Sequence, residues 1–242
     1  MFEFDPHLHC LTSGHGTTDT ISDLAKHAAK KGLNMIGVTD HGPATICSGK
    51  TSYFRSLASA PKKRCGIDIL YGVELNILDY DGTVDLSDEI LQGLDYAIIS
   101  MHMQNIKPGT VEENTYGYIN AMKHPKVKIL GHCDDVKYPV DYDALMVAAM
   151  HYGIIFEINN FSLSPDGYRG DTRKNAKTIL NLCKKNNYPI VLSSDSHGKE
   201  RLGNFKYALE MLKETEFPDS LILNYSSENF KKFIYQTKGP QM

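Results

Sequence analysis

Seven short apolar runs, alternating with helix-patterned stretches, constrain the folds open to this chain more than any other feature of it. The runs fall at 2–9, 34–40, 67–75, 95–102, 127–132, 154–160 and 189–195. Between and after them come stretches with apolar residues at helical spacing: 18–32, 111–123, 141–151, 173–186, 204–214 and 226–236. In 18–32 the face is Ile21, Leu24, Ala25, Ala28 and Ala29, and Gly32 is the stop. Strand alternating with helix implies parallel strands joined by crossovers. An open doubly wound sheet and a closed barrel both satisfy that order. A doubly wound nucleotide binder wants a glycine-rich turn after its first strand, and here that position reads His7-Leu8-His9. No linker, repeat or low-complexity segment divides the chain, so a single domain over 1–242 is expected. The segment 43–60 and the basic PKKRCG (61–66) read as loops, and Asp81-Gly82 as a tight turn.

The strand ends carry the chemistry. Of ten histidines, His7, His9, His15, His41, His102, His132 and His197 lie at or just past the C-terminal end of a predicted strand. Glu74 in GVELN and Asp195 in SSDSH share that placement. In a parallel barrel these ends converge on one mouth, where active sites are built. Residues i and i+2 of a strand point to one side, so His7 projects with His9, and Asp195 with His197. The remaining histidines, His27, His124 and His151, fall on helices or helix ends and are expected at the surface. Neutral imidazole and carboxylate are ligands for zinc, manganese or iron. Nine such groups are too many for one ion and imply two or three. A mouth holding that much positive charge attracts a dianion, and phosphate is the obvious one.

Composition narrows the class. No run approaches the roughly 18 apolar residues of a membrane span. The start, with Glu3 and Asp5, lacks the basic-then-apolar pattern of a secretory signal. A formal net charge of -3 argues against a non-specific nucleic-acid binder. Five cysteines, odd in number and never spaced C-x-x-C, point to free thiols in a reducing compartment, with the cytoplasm as the default.

H-x-H near the N-terminus, T-D-H-G at the second strand end, G-x-E at the third and S-D-S-H near 195 together resemble the polymerase and histidinol phosphatase (PHP) family. The resemblance runs from residue 5 to about 200. VTDHGP, GVELNI followed by DG-x-VDL, and EINN are most similar to the small stand-alone YcdX-type phosphatases. It implies an α/β fold, a distorted (β/α)7 TIM-like barrel, with three divalent metal ions, usually zinc, sometimes manganese or iron. His7, His9, Glu74 and Asp195 would hold one ion. Glu74 would bridge to a second held by His102 and His132, and His15, His41 and His197 would hold the third. The implied reaction is hydrolysis of a small phosphomonoester by a metal-bridging hydroxide, with Glu74 and Asp195 acting through it. Arg169, in the polar loop FSLSPDGYRGDTRKN (161–175), sits where similar phosphatases carry an arginine and would clamp phosphate. The run His132-Cys133-Asp134 departs from the proline common in relatives after that histidine, and Cys133 is expected to be a bystander. Asp5 and Asp40 precede ligand histidines, where they would either orient the rings or shape the strand-end turns.

Other readings compete. A hydrolase of the amidohydrolase type also begins H-x-H, but it places a lysine at a middle strand end, where this chain has Ser100-Met101-His102. A PHP-type nuclease is disfavoured by the acidic balance. A non-catalytic regulatory domain should show eroded ligand positions, and every matched position here is filled. The physiological substrate, histidinol phosphate or another phosphomonoester, and the oligomeric state are not written in the sequence.

Overall fold

The structure is a computed structural model that describes residues 2–236, so the outermost residues of the expected 1–242 domain lie outside it. Seven strand positions form a parallel sheet that curls on itself. In chain order they are β1 (Phe4–His9), β2 (Met35–Val38), β4 (Ile67–Asn76), β5 (Tyr96–Ser100), β6 (Val127–Leu130), β7 (Ile155–Asn159) and β8 (Ile190–Ser193). The two-residue β3 (Lys63–Arg64) pairs antiparallel with β4, outside the ring. The ring closes because the chain leaving β8 passes Ser194 and Asp195 and forms β9 (Ser196–His197). That strand pairs with β1 through Leu8↔Ser196 and His9↔His197. The run expected at 189–195 as one strand is thus broken at Asp195, whose φ is +50°.

Inward-facing residues grade from apolar to polar along the ring axis. At the N-terminal end Phe4, Met35, Leu70, Tyr96, Ile129, Ile155 and Val191 form an apolar floor, closed from below by Phe230 and Ile234. Those last two belong to the final helix, α8 (Ser227–Tyr235). One layer up stand Gly37 and Gly72, where an added Cβ would collide with Tyr96. Tyr96 spans the interior there and donates its hydroxyl to the Pro6 carbonyl. Above that layer lie the polar strand ends. Two-residue alternation carries this gradient, since Leu70, Gly72, Glu74 and Asn76 share one face of β4.

The larger core lies outside the sheet, under the helices. These are α1 (Ile21–Lys30), α2 (Thr51–Leu57), α3 (Asp88–Gln92), α4 (Val111–Ala121), α5 (Tyr142–Tyr152), α6 (Arg173–Lys185) and α7 (Lys206–Glu214), with α8. Capping boxes start α1, with Thr20 and Asp23, and α4, with Thr110 and Glu113. The short helix α2 lies where the sequence read as loop, and α3 where it gave no element. Each buries two apolar side chains, Phe54 with Leu57 and Ile90 with Leu91. A single turn or two shows too few repeats for periodicity to register. PKKRCG is likewise more than a solvated loop, because Lys63 and Arg64 form β3 and Lys62 pairs with Asp95 at 2.6 Å. Among the described residues no helix is long and apolar enough to cross a membrane, and the five cysteines are free.

Candidate active site

The nine side chains singled out at the strand ends meet at the C-terminal mouth of the ring, around Glu74. Its Oε1 lies 2.9 Å from His132 Nε2 and 3.4 Å from His102 Nε2. Its Oε2 lies 2.6 Å from His41 Nδ1, 3.5 Å from His7 Nε2 and 3.6 Å from His9 Nε2. Asp195 Oδ1 approaches His9 Nε2 to 3.2 Å and His7 Nε2 to 3.7 Å. On the outer side His197 Nε2 and His15 Nε2 stand 3.1 Å apart. Three sets have ligand atoms close enough together to hold an ion: His7, His9 and Asp195; His9, His41 and His197; His41, Glu74 and His102.

The chemistry of these atoms fits divalent cations. His7 Nε2, His9 Nε2, His41 Nδ1, His102 Nε2 and Glu74 Oε2 are buried and make no hydrogen bond. Stranding that many polar atoms in one place is costly, and bound cations satisfy all of them at once. The opposite ring nitrogens of His7, His9 and His102 are held. His7 Nδ1 meets Glu157 Oε1 at 2.6 Å, His9 Nδ1 meets Ser13 Oγ at 2.9 Å, and His102 Nδ1 meets Asn76 Oδ1 at 2.7 Å. His15 Nδ1 meets the Ser13 carbonyl at 3.0 Å. This is how a metal-binding imidazole is held, with one nitrogen anchored and the other free.

Charges reinforce the arrangement. Burial opposes ionisation of Glu74, yet His41, His102 and His7 hold it well below the usual carboxylate range. Burial likewise opposes Asp195, which His7 and Arg169 hold well down. Burial and the neighbouring His197 and His41 push His9 well below an ordinary imidazole. Burial brings His102 and His197 down to about 4, although carboxylates pull the other way. These rings are therefore neutral at physiological pH, as ligands must be. His7 is the exception: burial works against its charge, but Glu157, Asp195 and Glu74 together raise it well above the ordinary value.

Two positions reach the mouth through unusual backbone. Asp195, at φ +50°, and His132, at φ +27°, sit on the left-handed side that favours glycine. Glu157 Oε2 accepts the His132 N–H at 2.6 Å and so helps hold that turn.

Arg169 lies at the mouth but is buried, at 2% exposure. Its Nη2 reaches Asp195 Oδ2 at 3.0 Å and its Nη1 reaches Ser162 Oγ at 3.1 Å. Its guanidinium carbon is 5.0 Å from the Tyr168 ring centroid. The loop bearing it reaches over the mouth, and Tyr168 and His15 line both of two cavities there. One, of about 330 Å³, also touches His102, Met103, Lys137 and Arg169. The other, of about 420 Å³, also touches Phe161, Asp195, His197 and Arg201.

Several sequence readings change in detail. Neither Asp5 nor Asp40 accepts from a histidine ring. Asp5 takes backbone N–H groups of Ser194 at 3.2 Å and Gly203 at 2.8 Å. Asp40 takes Ser13 Oγ at 2.7 Å, Tyr53 Oη at 2.6 Å and the Cys10 N–H at 2.8 Å. Cys133 is buried in the apolar core under the helices. His124 is no idle surface residue, because it pairs with Asp88 at 2.8 Å and with the Gly82 carbonyl at 3.1 Å. The residue that sequence reasoning missed is Glu157. Its signal was present in EINN: it lies on the inward parity of β7, two residues before the strand end.

Comparison with known proteins agrees with this geometry. Residues 5–190 match the profile of the PHP domain. A probable phosphatase of Caldicellulosiruptor saccharolyticus is 38% identical over 234 residues, spanning 97% of this chain and 96% of that protein. A probable phosphatase of Clostridium botulinum is 37% identical over 235 residues, 97% of this chain and 95% of its own. Among solved structures, the fold is similar to histidinol phosphate phosphatase of Lactococcus lactis, complexed with zinc, L-histidinol and phosphate. There the TM-score is 0.60 at 19% identity, over 89% of this chain and 94% of that one. It is also similar to a chain of an archaeal ribonuclease P bound to mature tRNA, with a TM-score of 0.53 at 15% identity, over 99% and 97%. The same barrel thus serves different ends, and it is the sequence match along most of its length that makes this chain a member of the PHP domain family.

Proposed function

We propose that this protein is a metal-dependent phosphatase that hydrolyses a small phosphomonoester in the cytoplasm, working as one PHP-type domain. The observation that carries this reading is the set of buried, unpartnered ligand atoms converging on Glu74 and Asp195, with the Arg169 guanidinium beside them. Relatives named probable phosphatases, similar over nearly their whole length, support it.

The nine side chains are assigned to three divalent ions, most simply zinc, with manganese or iron as substitutes. His7, His9, Glu74 and Asp195 would hold the first; Glu74, His102 and His132 the second; His15, His41 and His197 the third. When bound, such ions supply a nucleophilic hydroxide at neutral pH and neutralise charge developing on the phosphoryl oxygens. The chain's own residues do the rest. Glu157, Ser13 and Asn76 aim the rings. Arg169, whose guanidinium meets Asp195 and lines the first cavity, orients the phosphoryl group. Tyr168 lines both cavities, where the alcohol would lie beside it.

The test is elemental analysis of protein purified in metal-supplemented buffer, with a phosphate-release screen. The panel comprises phosphomonoesters, histidinol phosphate among them, with diester and amide controls. About three ions per chain and turnover confined to monoesters are expected. One ion or none would overturn the three-ion assignment, and preferential diester or amide cleavage would overturn the reaction class.

A further inference from the structure

We propose that Asp85 and Asp40, neither of which lines the central cavities, are positioning residues: through Asn76 and Ser13 they fix His102 and His9 in the tautomer that leaves Nε2 free. This rests on the metal-centre reading above and extends it to residues that touch no ion.

The direction of each hydrogen bond follows from what carboxylates can do, which is accept. Asp85 Oδ2 lies 2.6 Å from Asn76 Nδ2, so the amide nitrogen must face Asp85. Asn76 Oδ1 then points the other way, where it meets His102 Nδ1 at 2.7 Å and Asn105 Nδ2 at 2.6 Å. An amide oxygen only accepts, so the proton of His102 sits on Nδ1. Its Nε2 therefore presents a lone pair to Glu74 Oε1 at 3.4 Å, and two acceptors face each other as they do across a cation. The second relay works through a hydroxyl. Ser13 Oγ donates to Asp40 Oδ1 at 2.7 Å. Having given up its one proton, it must accept from His9 Nδ1 at 2.9 Å and from the His41 N–H at 3.2 Å. His9 Nε2 is left facing Asp195 Oδ1 at 3.2 Å.

This accounts for motif residues with no other role. Asn76 closes GVELN and Asp85 lies in DGTVDL. Between them the chain reverses through the Asp79–Gly82 turn and the Ile77↔Val84 bridge, which returns Asp85 over Asn76. Gly42 of TDHG is required at the same place, because a Cβ there would collide with the Asp85 carboxylate. Asp85 also takes the Ala44 N–H at 3.0 Å and so ties the turn after His41 to the relay.

The experiment is long-range 1H–15N NMR of metal-free protein with 15N-labelled histidine, above about pH 7.5, where an ordinary imidazole is neutral. His102 and His9 should both carry the proton on Nδ1. A proton on Nε2 of either ring in the wild type would overturn that relay without any mutation. In Asp85→Asn a donor meets the Asn76 amide, Asn76 turns over, and the His102 proton should move to Nε2. Zinc affinity, read by competition with a chromophoric chelator, should fall about 10- to 100-fold. Ser13→Ala should lose the Nδ1–H signature of His9 with a similar fall. Variants that keep wild-type tautomers and affinity would overturn the proposal. If Asp85→Asn does not fold, the wild-type spectrum and Ser13→Ala still decide. Because the tautomers are read without metal or substrate, a failure here is separable from a failure of the phosphatase reading.

Discussion

Glu157 and His7, 150 positions apart in the chain, share a 2.6 Å hydrogen bond between Oε1 and Nδ1. The other Glu157 oxygen takes the backbone N–H of His132, also at 2.6 Å. One carboxylate thus holds a ring of one ligand set and the backbone of another. Glu157→Gln puts an amide donor against His7 Nδ1 on one side or against the His132 N–H and Asn159 Nδ2 on the other. Zinc affinity should fall about 10- to 100-fold, in line with loss of a residue supporting a metal ligand, while circular dichroism stays native. A chelator competition showing wild-type affinity would remove Glu157 from the site.

The same pair predicts a pH dependence. His7 is raised well above the ordinary imidazole value, against the effect of burial, by Glu157, Asp195 and Glu74. In the metal-free chain His7 is therefore protonated at neutral pH, and an ion taking its Nε2 must displace that proton. Apparent affinity should rise with pH until the raised value is passed. The sign for folding is the reverse. The charged His7 contributes stability to the metal-free protein in full below about pH 6.5, the unfolded value, and loses it as pH climbs through the folded value. Calorimetric zinc titrations near neutral pH, run in buffers of different ionisation enthalpy, should show proton release. A heat independent of buffer would contradict this.

Glu74 faces five histidines through its two oxygens. Glu74→Gln should lose metal and nearly all turnover, because an amide neither balances the charge nor offers two anionic oxygens. The barrel should survive, since its apolar floor and outer core are untouched. Wild-type metal content and rate in that variant would refute the bridging role.

Arg169→Ala should weaken transition-state binding by about 1.5–3 kcal/mol, the range for hydrogen bonds to charged groups. That is roughly 10- to 150-fold in kcat/KM. Asn159 Nδ2 still donates to Asp195 Oδ2 at 3.1 Å, so metal content should hold. Arg169→Lys should recover only part of the rate, keeping the charge but losing the planar fork. An unchanged kcat/KM for the alanine variant on its best phosphomonoester would return Arg169 to a structural role.

His27→Ala on α1 and His151→Ala on α5 serve as controls, expected to leave turnover near wild type. A large loss in either would mean the mouth extends further than the strand ends.

Much of this protein was readable without coordinates. Two-residue alternation put His7 on one side with His9, and the rule that parallel strand ends converge gathered His7, His41, Glu74 and Asp195 before any distance was known. Such patterns are local, and local periodicity depends only on backbone geometry. Short α2 and α3 escaped for the same reason, offering too few turns to register. What only the tertiary structure decided is which acceptor stands behind which ring. Glu157 meets His7 because β7 and β1 flank the β8–β9 segment once the ring closes, and Asp85 meets Asn76 because a reversing turn folds the chain back on itself. Asp40 stands beside His9 in space but spends its oxygens on Ser13, Tyr53 and Cys10. Hydrogen bonds are short-range and directional, so their partners are set by closure of the barrel to within a fraction of an ångström, a quantity no spacing along the chain encodes.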